Sequence, residues 1–412
     1  MDVLHARCAG LDVHRDTVVA CARLVTADAA AYEVATFGTM TTDLERLATW
    51  LAARGVTHAV MEATGVYWKP IWAVLAMQVE LVLANAAHVK NVPGRKTDVN
   101  DATWLADLLA HGLIRASFVP GQPVQALRDL TRTRKQLTRE KAAHAQRIDK
   151  LLQAANLRLG TVLADILGTS GRAILAALAA GETDPERLAD RVQTRIRASR
   201  QQVVEALRGR LAEHQRQLLQ IHLDQIDATD RALGALDAAL DQSLDPFHEA
   251  ADRLTTIPGV GALAAAGIIA EIGCDMSRFA TPAHLISWAG LCPANDESAG
   301  KRRSTRLRKG APWLKTLLVQ VAWSAKRAKA GYLPALFARL RARRGPKKAI
   351  IAVAASILTA AYWMLRRGTS YQDLGTDYFD RTDRQRLATK LLRKLDQLGF
   401  SVTLAERQTT SP

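Results

Sequence analysis

The chain has 412 residues, of which 48% are hydrophobic, and it carries a formal net charge of +16 with an isoelectric point near 10.0. That length and composition suit two or three globular domains and exclude a disordered chain. The excess of positive charge predicts a polyanionic partner, with nucleic acid ahead of a membrane surface. The cysteines show no zinc or disulfide pattern, which fits a reducing cytoplasm; they are Cys8, Cys21, Cys274 and Cys292.

The N-terminal region, residues 1–120, alternates strand-like and helix-like patterns. CAGLDV, TVVACARLV and YEVATFGT predict three strands, and LERLATWLAARG predicts a helix that ends at Gly55. THAVMEA and VELVLANA predict two further strands, with helices after Gly65 and after Asp98. Three early strands followed by alternating helices and strands predict an α/β domain with a mixed sheet.

The next region, residues 121–249, is predicted to be an all-α arm. Leu, Ile and Ala recur at three- and four-residue spacing, which predicts two long helices at about 124–155 and 190–244, antiparallel and coiled-coil-like. Short helices and a turn are expected at 159–184. The arm is interpreted as a spacer or an oligomerisation device.

The first arm helix is strongly basic. Its cations include Arg132, Arg134, Lys135 and Arg139. A charged helix face is commonly just solvated, but the charge of the whole chain favours contact with nucleic acid.

The third region, residues 250–405, is predicted to be helical, with a disordered tail at 406–412. The segment IPGVG lies between two apolar helical patterns and is similar to a helix-hairpin-helix motif. In such a motif Gly259 and Gly261 let backbone N–H groups approach a phosphate closely. A plain tight turn is the alternative interpretation.

An apolar run at residues 349–365 is flanked by lysines and arginines and looks at first like a membrane span. It is rich in alanine and shorter than the roughly 20 residues that a span prefers. A buried helix is therefore favoured. The first 15 residues are mixed and polar, which predicts no secretion signal.

Four acids in the N-terminal region form a pattern. Asp12 lies in a strand among apolar neighbours, Glu62 ends a later strand, and Asp98 and Asp101 are spaced to share a helix face. Taken singly, Asp98 could be a helix N-cap with Asp101 in the first turn, and the other two could be satisfied polar groups. In a ribonuclease-H-like sheet the four positions converge, and carboxylates suit two Mg²⁺ (or Mn²⁺) ions about 4 Å apart.

Two groups of basic residues could hold phosphate near these or other reactive groups. Arg95 and Lys96 directly precede the Asp98 pair. A second group follows Ser298, in a segment of small and polar residues at 292–309 that is predicted to be a loop. Its cations are Lys301, Arg302, Arg303, Arg306, Arg308 and Lys309. They could stabilise the charge on a scissile phosphate.

Ser298 is a candidate nucleophile because an exposed loop hydroxyl beside these cations could reach a phosphate. No neighbouring histidine offers itself as a general base. An ordinary loop serine is the alternative, and Ser304 competes for the same role.

Taken together, these stretches resemble the DEDD transposases of bacterial insertion sequences, the insertion-sequence one-ten family of bridge-RNA-guided recombinases. The resemblance is carried by GLDVHRD, MEATGVYW and KTDVNDA near the N-terminus, and by IPGVG and WAGLCPANDESAGKRRSTRLRKG later in the chain. It spans both ends of the chain, with the helical arm between them.

The resemblance implies a RuvC-like N-terminal domain with Asp12, Glu62, Asp98 and Asp101 as a metal-binding tetrad. It implies a C-terminal transposase domain with Ser298 as the nucleophile. Donor and target DNA would be cut and rejoined through a phosphoserine link, guided by a structured non-coding RNA. Dimers to tetramers, a composite site from two protomers and a bacterial cytoplasmic, nucleoid-associated location without membrane insertion are also implied.

The chain departs from the family pattern near the serine. It has Ser298-Ala299-Gly300 where Ser-Gly is common, Gly310-Ala311 where Gly-Asn is common, and Lys315 in place of an arginine. Two other functions therefore stay open beside the transposase. One is a RuvC-like nuclease or resolvase that uses metal-activated water, and the other is a non-catalytic nucleic-acid-binding scaffold.

Overall fold

The computed structural model describes residues 3–25, 29–86, 89, 100–193, 195–293, 296–298, 300–304, 306–307, 310–382 and 384–402. The chain forms two compact units, Met1–Val119 and Pro120–Pro412. The arm helices and the later helices share the second unit, and the three-part division drawn from the sequence stays a prediction. Several predicted positions lie outside the described residues, namely Arg95, Lys96, Asp98, Arg308, Lys309 and the tail at 406–412. Ser298, Arg302 and Arg303 are described by their backbone alone.

The first unit is built on a five-stranded mixed sheet. The strands are β1 (Arg7–Val13), β2 (Thr17–Val25), β3 (Ala30–Gly38), β4 (His58–Glu62) and β5 (Glu80–Ala84), and their order is β3-β2-β1-β4-β5. The pairs β1/β2 and β2/β3 are antiparallel, whereas β1/β4 and β4/β5 are parallel. The helices are α1 (Thr41–Ala53), α2 (Trp68–Leu75) and α3 (Asp101–Ala110). The predicted α/β domain with a mixed sheet is confirmed.

Helices cover both faces of this sheet. Leu11 and Val13 of β1 belong to a core cluster that includes Leu44 and Leu47 of α1 and Ile71 of α2. Side chains alternate between the faces of a strand, so Cys8, Gly10 and Asp12 point the other way. Cys8 accordingly packs in a separate cluster with Leu105 and Leu108 of α3.

Gly10 lets α3 lie directly on β1. A Cβ atom built on Gly10 would lie 2.6 Å from the backbone nitrogen of Ala106 and 2.9 Å from Cβ of Leu105, and closer still to the carbonyl oxygen of Ala102. Real Cβ atoms do not approach backbone atoms this closely. The glycine therefore sets the height of α3 above the sheet.

An ion pair fixes the far half of α3. The Arg23 side chain, only 6% exposed, donates from Nε to Oδ1 of Asp107 at 3.0 Å, and the Tyr32 hydroxyl donates to the same oxygen at 2.6 Å. Burial and the neighbouring carboxylate raise the pKa of Tyr32. Arg23 and Tyr32 belong to β2 and β3, so α3 is tied to three strands of the sheet.

The second unit consists of helices and one β-hairpin. The helices of its first part are α4 (Gln122–Ala154), α5 (Leu159–Val162), α6 (Thr169–Ala179), α7 (Pro185–Ala189), α8 (Arg200–Ala206) and α9 (Glu213–Leu244). Those of its second part are α10 (His248–Thr255), α11 (Ala262–Ile272), α12 (Pro282–Trp288), α13 (Pro312–Ala325), α14 (Tyr332–Arg344), α15 (Pro346–Arg367), α16 (Tyr378–Thr382) and α17 (Arg384–Gln397). The hairpin strands are β6 (Asp296–Ser298) and β7 (Lys301–Ser304).

The two long helices α4 and α9 run antiparallel. Arg134 pairs with Asp237, Lys141 pairs with Asp230, and His144 lies 3.1 Å from His222. The residue numbers of the partners decrease along α9 as they increase along α4. The helix predicted at 124–155 is thus present within two residues of its expected bounds.

The prediction of one helix over 190–244 is wrong, because α9 begins only at Glu213. Ser199 caps the separate helix α8 in a capping box with Gln202. Gly209 then passes against the end of α4, where a Cβ atom would lie 2.7 Å from the carbonyl carbon of Asn156. A continuous helix could not make that close crossing.

Helix α15 contains the apolar run of the C-terminal region. It is the one described helix that is long and apolar enough to cross a membrane, and half of its apolar window is buried inside the structure. Tyr362 is fully buried and donates its hydroxyl to the carbonyl oxygen of Phe279 at 2.9 Å. The helix therefore forms part of the core of the second unit, as predicted, although its 22 residues exceed the length on which that prediction rested.

We expect Gly10→Ala to destabilise the first unit by at least about 2 kcal/mol, because the added methyl group overpacks backbone atoms of α3. Hydrogen exchange of the α3 amides should accelerate, and the urea midpoint of the first unit should fall. The matched control is Gly234→Ala on α9, where a Cβ atom meets nothing within 4 Å. That change should stabilise its helix by about 0.5–1 kcal/mol. Equal effects of the two substitutions would contradict the close approach at Gly10.

Candidate functional site

Three of the four predicted acids lie at one edge of the first unit's sheet. Leu11 and Met61 are partners in the parallel β1/β4 pair, and Asp12 and Glu62 are the residues that follow them. Neighbouring strands are about 4.8 Å apart. The structure thus brings Asp12 and Glu62 to adjacent positions at the carboxyl ends of β1 and β4.

The same acids share the face that α3 covers. Val60 packs with Leu105 of α3, so Glu62, two residues on, points to that face. Asp12 lies two residues beyond Gly10, which contacts α3. Asp101 is the first residue of α3, next to the Ala102 carbonyl that approaches Gly10. Asp12, Glu62 and Asp101 therefore lie on the same face, near the start of α3 and the ends of two parallel strands.

The N-cap of α3 is Asn100, whose side chain accepts a hydrogen bond from the Ala102 amide at 3.0 Å. The alternative interpretation assigned this cap to Asp98, and that assignment is wrong. Asp101 does lie in the first turn, where a negative charge is favoured by the helix dipole. Capping accounts for Asn100, and the helix dipole favours Asp101 in addition to any role that it shares with Asp12 and Glu62.

Asp12 is partly exposed, and its carboxylate lies 3.1 Å from Nε2 of His14. Within the described parts of the chain, no three His, Cys, Asp or Glu side chains are grouped closely enough to hold a metal ion. Asp98 lies outside those parts. The three described acids share an edge and a face but do not complete a metal site by themselves.

The chemistry of the donors at this face suits a hard cation. Burial raises the pKa of Cys8 to about 11, and burial also raises the pKa of Cys21. Both thiols therefore stay protonated and are poor metal ligands at neutral pH. The donors that remain are carboxylate oxygens, the ligands that Mg²⁺ and Mn²⁺ prefer, and the His14 imidazole beside Asp12.

The segment predicted as a loop at 292–309 contains the β-hairpin. Ser298 pairs with Lys301, and Gly300 between them has a φ of +73°, in the left-handed region that hairpin turns use. A bridge between Pro293 and Leu307 extends the hairpin. Short polar strands lack the apolar alternation that marks strands in a sequence, and this explains why the hairpin was missed.

The two candidate nucleophiles, Ser298 and Ser304, lie at different positions in the hairpin. Ser298 ends strand β6 directly before the turn. The Ser304 hydroxyl accepts a hydrogen bond from the Arg306 amide at 3.1 Å. Lys301 and Arg306 are exposed, so at least two of the predicted cations around the hairpin face solvent.

The predicted nucleic-acid-binding cations of α4 fall into two groups. Arg132 donates to both oxygens of Glu271 at 2.8 and 2.9 Å, and Arg134 donates to both oxygens of Asp237. The hydrogen bond from Arg134 lowers the pKa of Asp237. These two cations are compensated internally, and their contact with nucleic acid stays a prediction.

Lys135 and Arg139 have no acidic partner within the described residues. Nζ of Lys135 donates to the side-chain oxygen of Gln320 at 3.2 Å, and the guanidinium of Arg139 lies 5.3 Å from the ring centre of Trp313. Their charges remain available to an anion.

The IPGVG turn joins α10 to α11, and its two glycines have different roles. Gly259 has a φ of +86°, and a Cβ atom there would lie 2.6 Å from the backbone nitrogen of Ala325 on α13. Gly261 caps α11 and has nothing within 4 Å of the corresponding position. Gly259 thus allows α13 to pack closely against the turn. The N-terminus of α11 at Gly261 is open, and phosphate contact there stays a prediction.

Glu271 is a residue that sequence reasoning missed. Its side chain is 5% exposed and is held by Arg132, while Arg128 donates to the backbone carbonyl oxygens of Ala270 and Glu271, both at 2.8 Å. The signal was available, because Glu271 is the single charged residue of the apolar helix ALAAAGIIAEI. These contacts join α4 to the C-terminal end of α11.

Two family models match the chain. The first, the DEDD transposase model of IS110 elements, covers residues 9–157 and so includes all four predicted acids. The second, a transposase model of the IS116/IS110/IS902 family, covers residues 251–337 and includes the IPGVG turn and the Ser298 hairpin. Both models describe transposases, and together they span more than half of the chain.

Individual relatives agree with these models. The chain is 26% identical over 335 residues to the transposase for insertion sequence element IS1111A of Coxiella burnetii, which covers 78% of this chain and 81% of that protein. It is 32% identical over 146 residues to the 43.6 kDa protein of insertion element IS110 from Streptomyces coelicolor, covering 34% of each chain. The chain therefore belongs to the IS110 family of insertion-sequence transposases.

We expect Glu271→Gln to destabilise the second unit by about 2 kcal/mol, because the half-buried Arg132 loses the charge of its buried acceptor. The urea midpoint should fall accordingly. Glu249→Gln is the matched control, since Glu249 is 85% exposed where it pairs with Arg253. That substitution should change the stability by less than about 0.5 kcal/mol. A loss at Glu249 as large as that at Glu271 would contradict the role assigned to the buried pair.

Proposed function

We propose that this transposase cuts and rejoins element and target DNA through a phosphoserine intermediate on Ser298, guided by a structured RNA encoded by the element. The observation that carries the proposal is the placement of Asp12, Glu62 and Asp101 at one edge of the sheet, on the face that α3 covers. The matched transposase region around the hairpin supports the role of Ser298.

The acids are proposed to hold Mg²⁺ or Mn²⁺ together with Asp98. Such an ion, when bound, supplies Lewis-acid stabilisation of the charge on phosphate oxygens. The chain itself contributes the position of the carboxylates. Gly10 allows α3 to bring Asp101 to the sheet, and the Arg23–Asp107 pair holds the helix there.

The proposed chemistry conserves the energy of the phosphodiester. The Ser298 hydroxyl attacks the phosphorus, a bond from serine oxygen to phosphorus forms, and the bond to one sugar oxygen breaks. The serine hydroxyl loses its proton, and the released sugar oxygen takes one up to become a hydroxyl. The phosphoserine ester replaces the phosphodiester bond, so no external energy source is needed. Attack by a sugar hydroxyl of another strand reverses the step and joins the DNA.

The cations beside the serine are proposed to bind the scissile phosphate. Lys301 and Arg306 are exposed on and after strand β7. They are expected to stabilise the charge that develops on phosphate oxygens, together with Arg302, Arg303, Arg308 and Lys309. No described histidine is assigned as the general base.

The architecture proposed for the assembly follows the family resemblance. The first unit is proposed to be RuvC-like, and α4 and α9 are proposed to form a coiled coil that joins protomers into dimers and tetramers. A composite site would then combine the acids of one protomer with the serine of another. The proposed partners are donor DNA, target DNA and the guide RNA, in the bacterial cytoplasm.

A metal-dependent nuclease that uses water is the second candidate function. The observation that favours it is that Asp12, Glu62 and Asp101, and the contacts that hold α3, all lie in the first unit, Met1–Val119. That unit does not contain Ser298. Hydrolysis discards the energy of the phosphodiester, so this candidate predicts cleavage without a covalent protein–DNA adduct.

We expect Asp12→Asn, Glu62→Gln and Asp101→Asn each to remove most recombination while leaving the fold intact, because each removes a charge from one shared site. A recombination assay with matched circular-dichroism melting curves measures both effects. Asp16→Asn is the control, since Asp16 follows the same strand but is 85% exposed. Wild-type recombination in the Asp12 and Asp101 variants would return these acids to a purely structural role.

We expect Ser298→Ala to reduce strand exchange on the order of 10⁴-fold or more, as for other removed nucleophiles, with RNA and DNA binding near wild type. The wild-type protein should form a denaturant-resistant adduct with DNA, and mass spectrometry should place the phosphoryl group on Ser298. Ser304→Ala is the control and should keep the adduct. An adduct on Ser304 would transfer the role to that serine, and full activity without any adduct would favour the nuclease.

A further inference from the structure

A cavity of about 350 Å³ lies in the second unit between helices α4, α11 and α13. Two features that the sequence placed far apart meet at this cavity, the basic face of α4 and the IPGVG turn. Its rim is open to solvent, since Leu263, Thr316, Gln320 and Arg139 are all exposed. The cavity is therefore accessible to a ligand from outside.

The walls of the cavity are mainly apolar and include an aromatic ring. Leu263, Leu317 and Val321 line it together with Trp313. The guanidinium carbons of Arg132 and Arg139 lie 5.5 and 5.3 Å from the ring centre of Trp313. Planar guanidinium and indole groups are the surfaces on which nucleobases stack.

Polar groups at the rim of the cavity can form directional hydrogen bonds. The amide of Gln320 can donate and accept hydrogen bonds, as base edges do. Lys135, which donates to Gln320, and Arg139 carry positive charges without an acidic partner among the residues that the structure describes. They stand where a phosphate attached to a bound base would need a counter-charge.

The buried Arg132–Glu271 pair makes one wall rigid. Both hydrogen bonds of this pair are shorter than 3 Å, and Glu271 itself lines the cavity. Arg132 is thus held as a fixed plane beside Trp313 rather than as a mobile surface cation. A preorganised wall lowers the entropic cost of binding.

We propose that this cavity receives one unstacked nucleobase of a bound nucleic-acid strand, with Lys135 and Arg139 holding the adjoining phosphate. The volume is near the lower end of the roughly 300–1,000 Å³ found for ligand pockets, which suits one base rather than a stacked pair. Bases inside a duplex cannot enter a concave site, so the ligand is a single-stranded or extruded nucleotide. This inference rests on the nucleic-acid binding of the proposed function, but not on the chemistry at Ser298.

Binding of base-containing and base-free strands separates this proposal from binding at the rim alone. The probes are a thymidine decamer, a uridine decamer and a decamer of the same deoxyribose phosphate backbone without bases, each bound to the full chain. The wild-type protein should bind a base-containing decamer about tenfold more tightly than the base-free one. The ratio of the affinities for the thymidine and the uridine decamers shows which of these two strands the cavity binds more tightly.

Filling the cavity should remove the preference for bases. Leu263→Trp, or Thr316→Trp as a second variant, should lower the affinity for the base-containing decamers to that for the base-free decamer. Lys135→Gln should instead weaken all three probes alike and lower the salt slope by about one unit for the lost contact. Leu218→Trp is the control, since Leu218 is 45% exposed on α9, outside the cavity.

Equal affinity of the wild-type protein for base-containing and base-free decamers would overturn the proposal. So would an unchanged preference for bases in both filled variants. Either result leaves the Ser298 adduct untouched, whereas loss of the adduct with a retained preference for bases would overturn the proposed chemistry and not the cavity.

Discussion

The close approach of α3 to β1 at Gly10 is the constraint on which the candidate active edge depends. A helix seated on a strand without an intervening side chain puts its first residue within reach of the strand's carboxyl end. Asp101 is that first residue, and Asp12 and Glu62 occupy the strand ends. Any larger residue at position 10 would lift the helix and separate the carboxylates. The proposed chemistry therefore depends on a close backbone contact that requires glycine at position 10.

The supports of α3 are as informative as the acids. Asn100 caps its start, and Asp107 is held by Arg23 and Tyr32 from the sheet. An arginine that is 95% buried is costly unless it is paired. The pairing stabilises one orientation of α3 above the sheet, and that orientation places Asp101 near the strand ends.

Much of the first unit could be predicted from the sequence because its elements carry strong local signals. The strands CAGLDV and TVVACARLV are apolar runs bounded by polar turns, and the order of elements indicated a mixed sheet. The helix cap was misassigned because Asp98 and Asn100 are equally good caps by residue type, and only the fold selects between them. The break before α9 was missed because helical periodicity continues on both sides of Gly209, whose close packing on α4 is a tertiary contact.

The predictions about charge illustrate a different limit. A net charge of +16 predicted a polyanionic partner, but it could not tell which cations are free. Arg132 and Arg134 were predicted to contact phosphates, and in the structure both pair with carboxylates that are distant in sequence.

Internal compensation of those two cations changes what the basic face of α4 can do. A helix whose cations all faced solvent would bind phosphates without regard to the bases. Here the pair with Glu271 holds Arg132 as one wall beside Trp313, while Lys135 and Arg139 keep their charge at the rim. In the proposed cavity the fixed planar groups inside contact the base, and the cations at the rim contact the phosphate. The carboxylates beside Arg132 and Arg134 therefore do not oppose the proposed nucleic-acid binding. They neutralise part of the nonspecific charge and hold the arginine side chains in fixed positions.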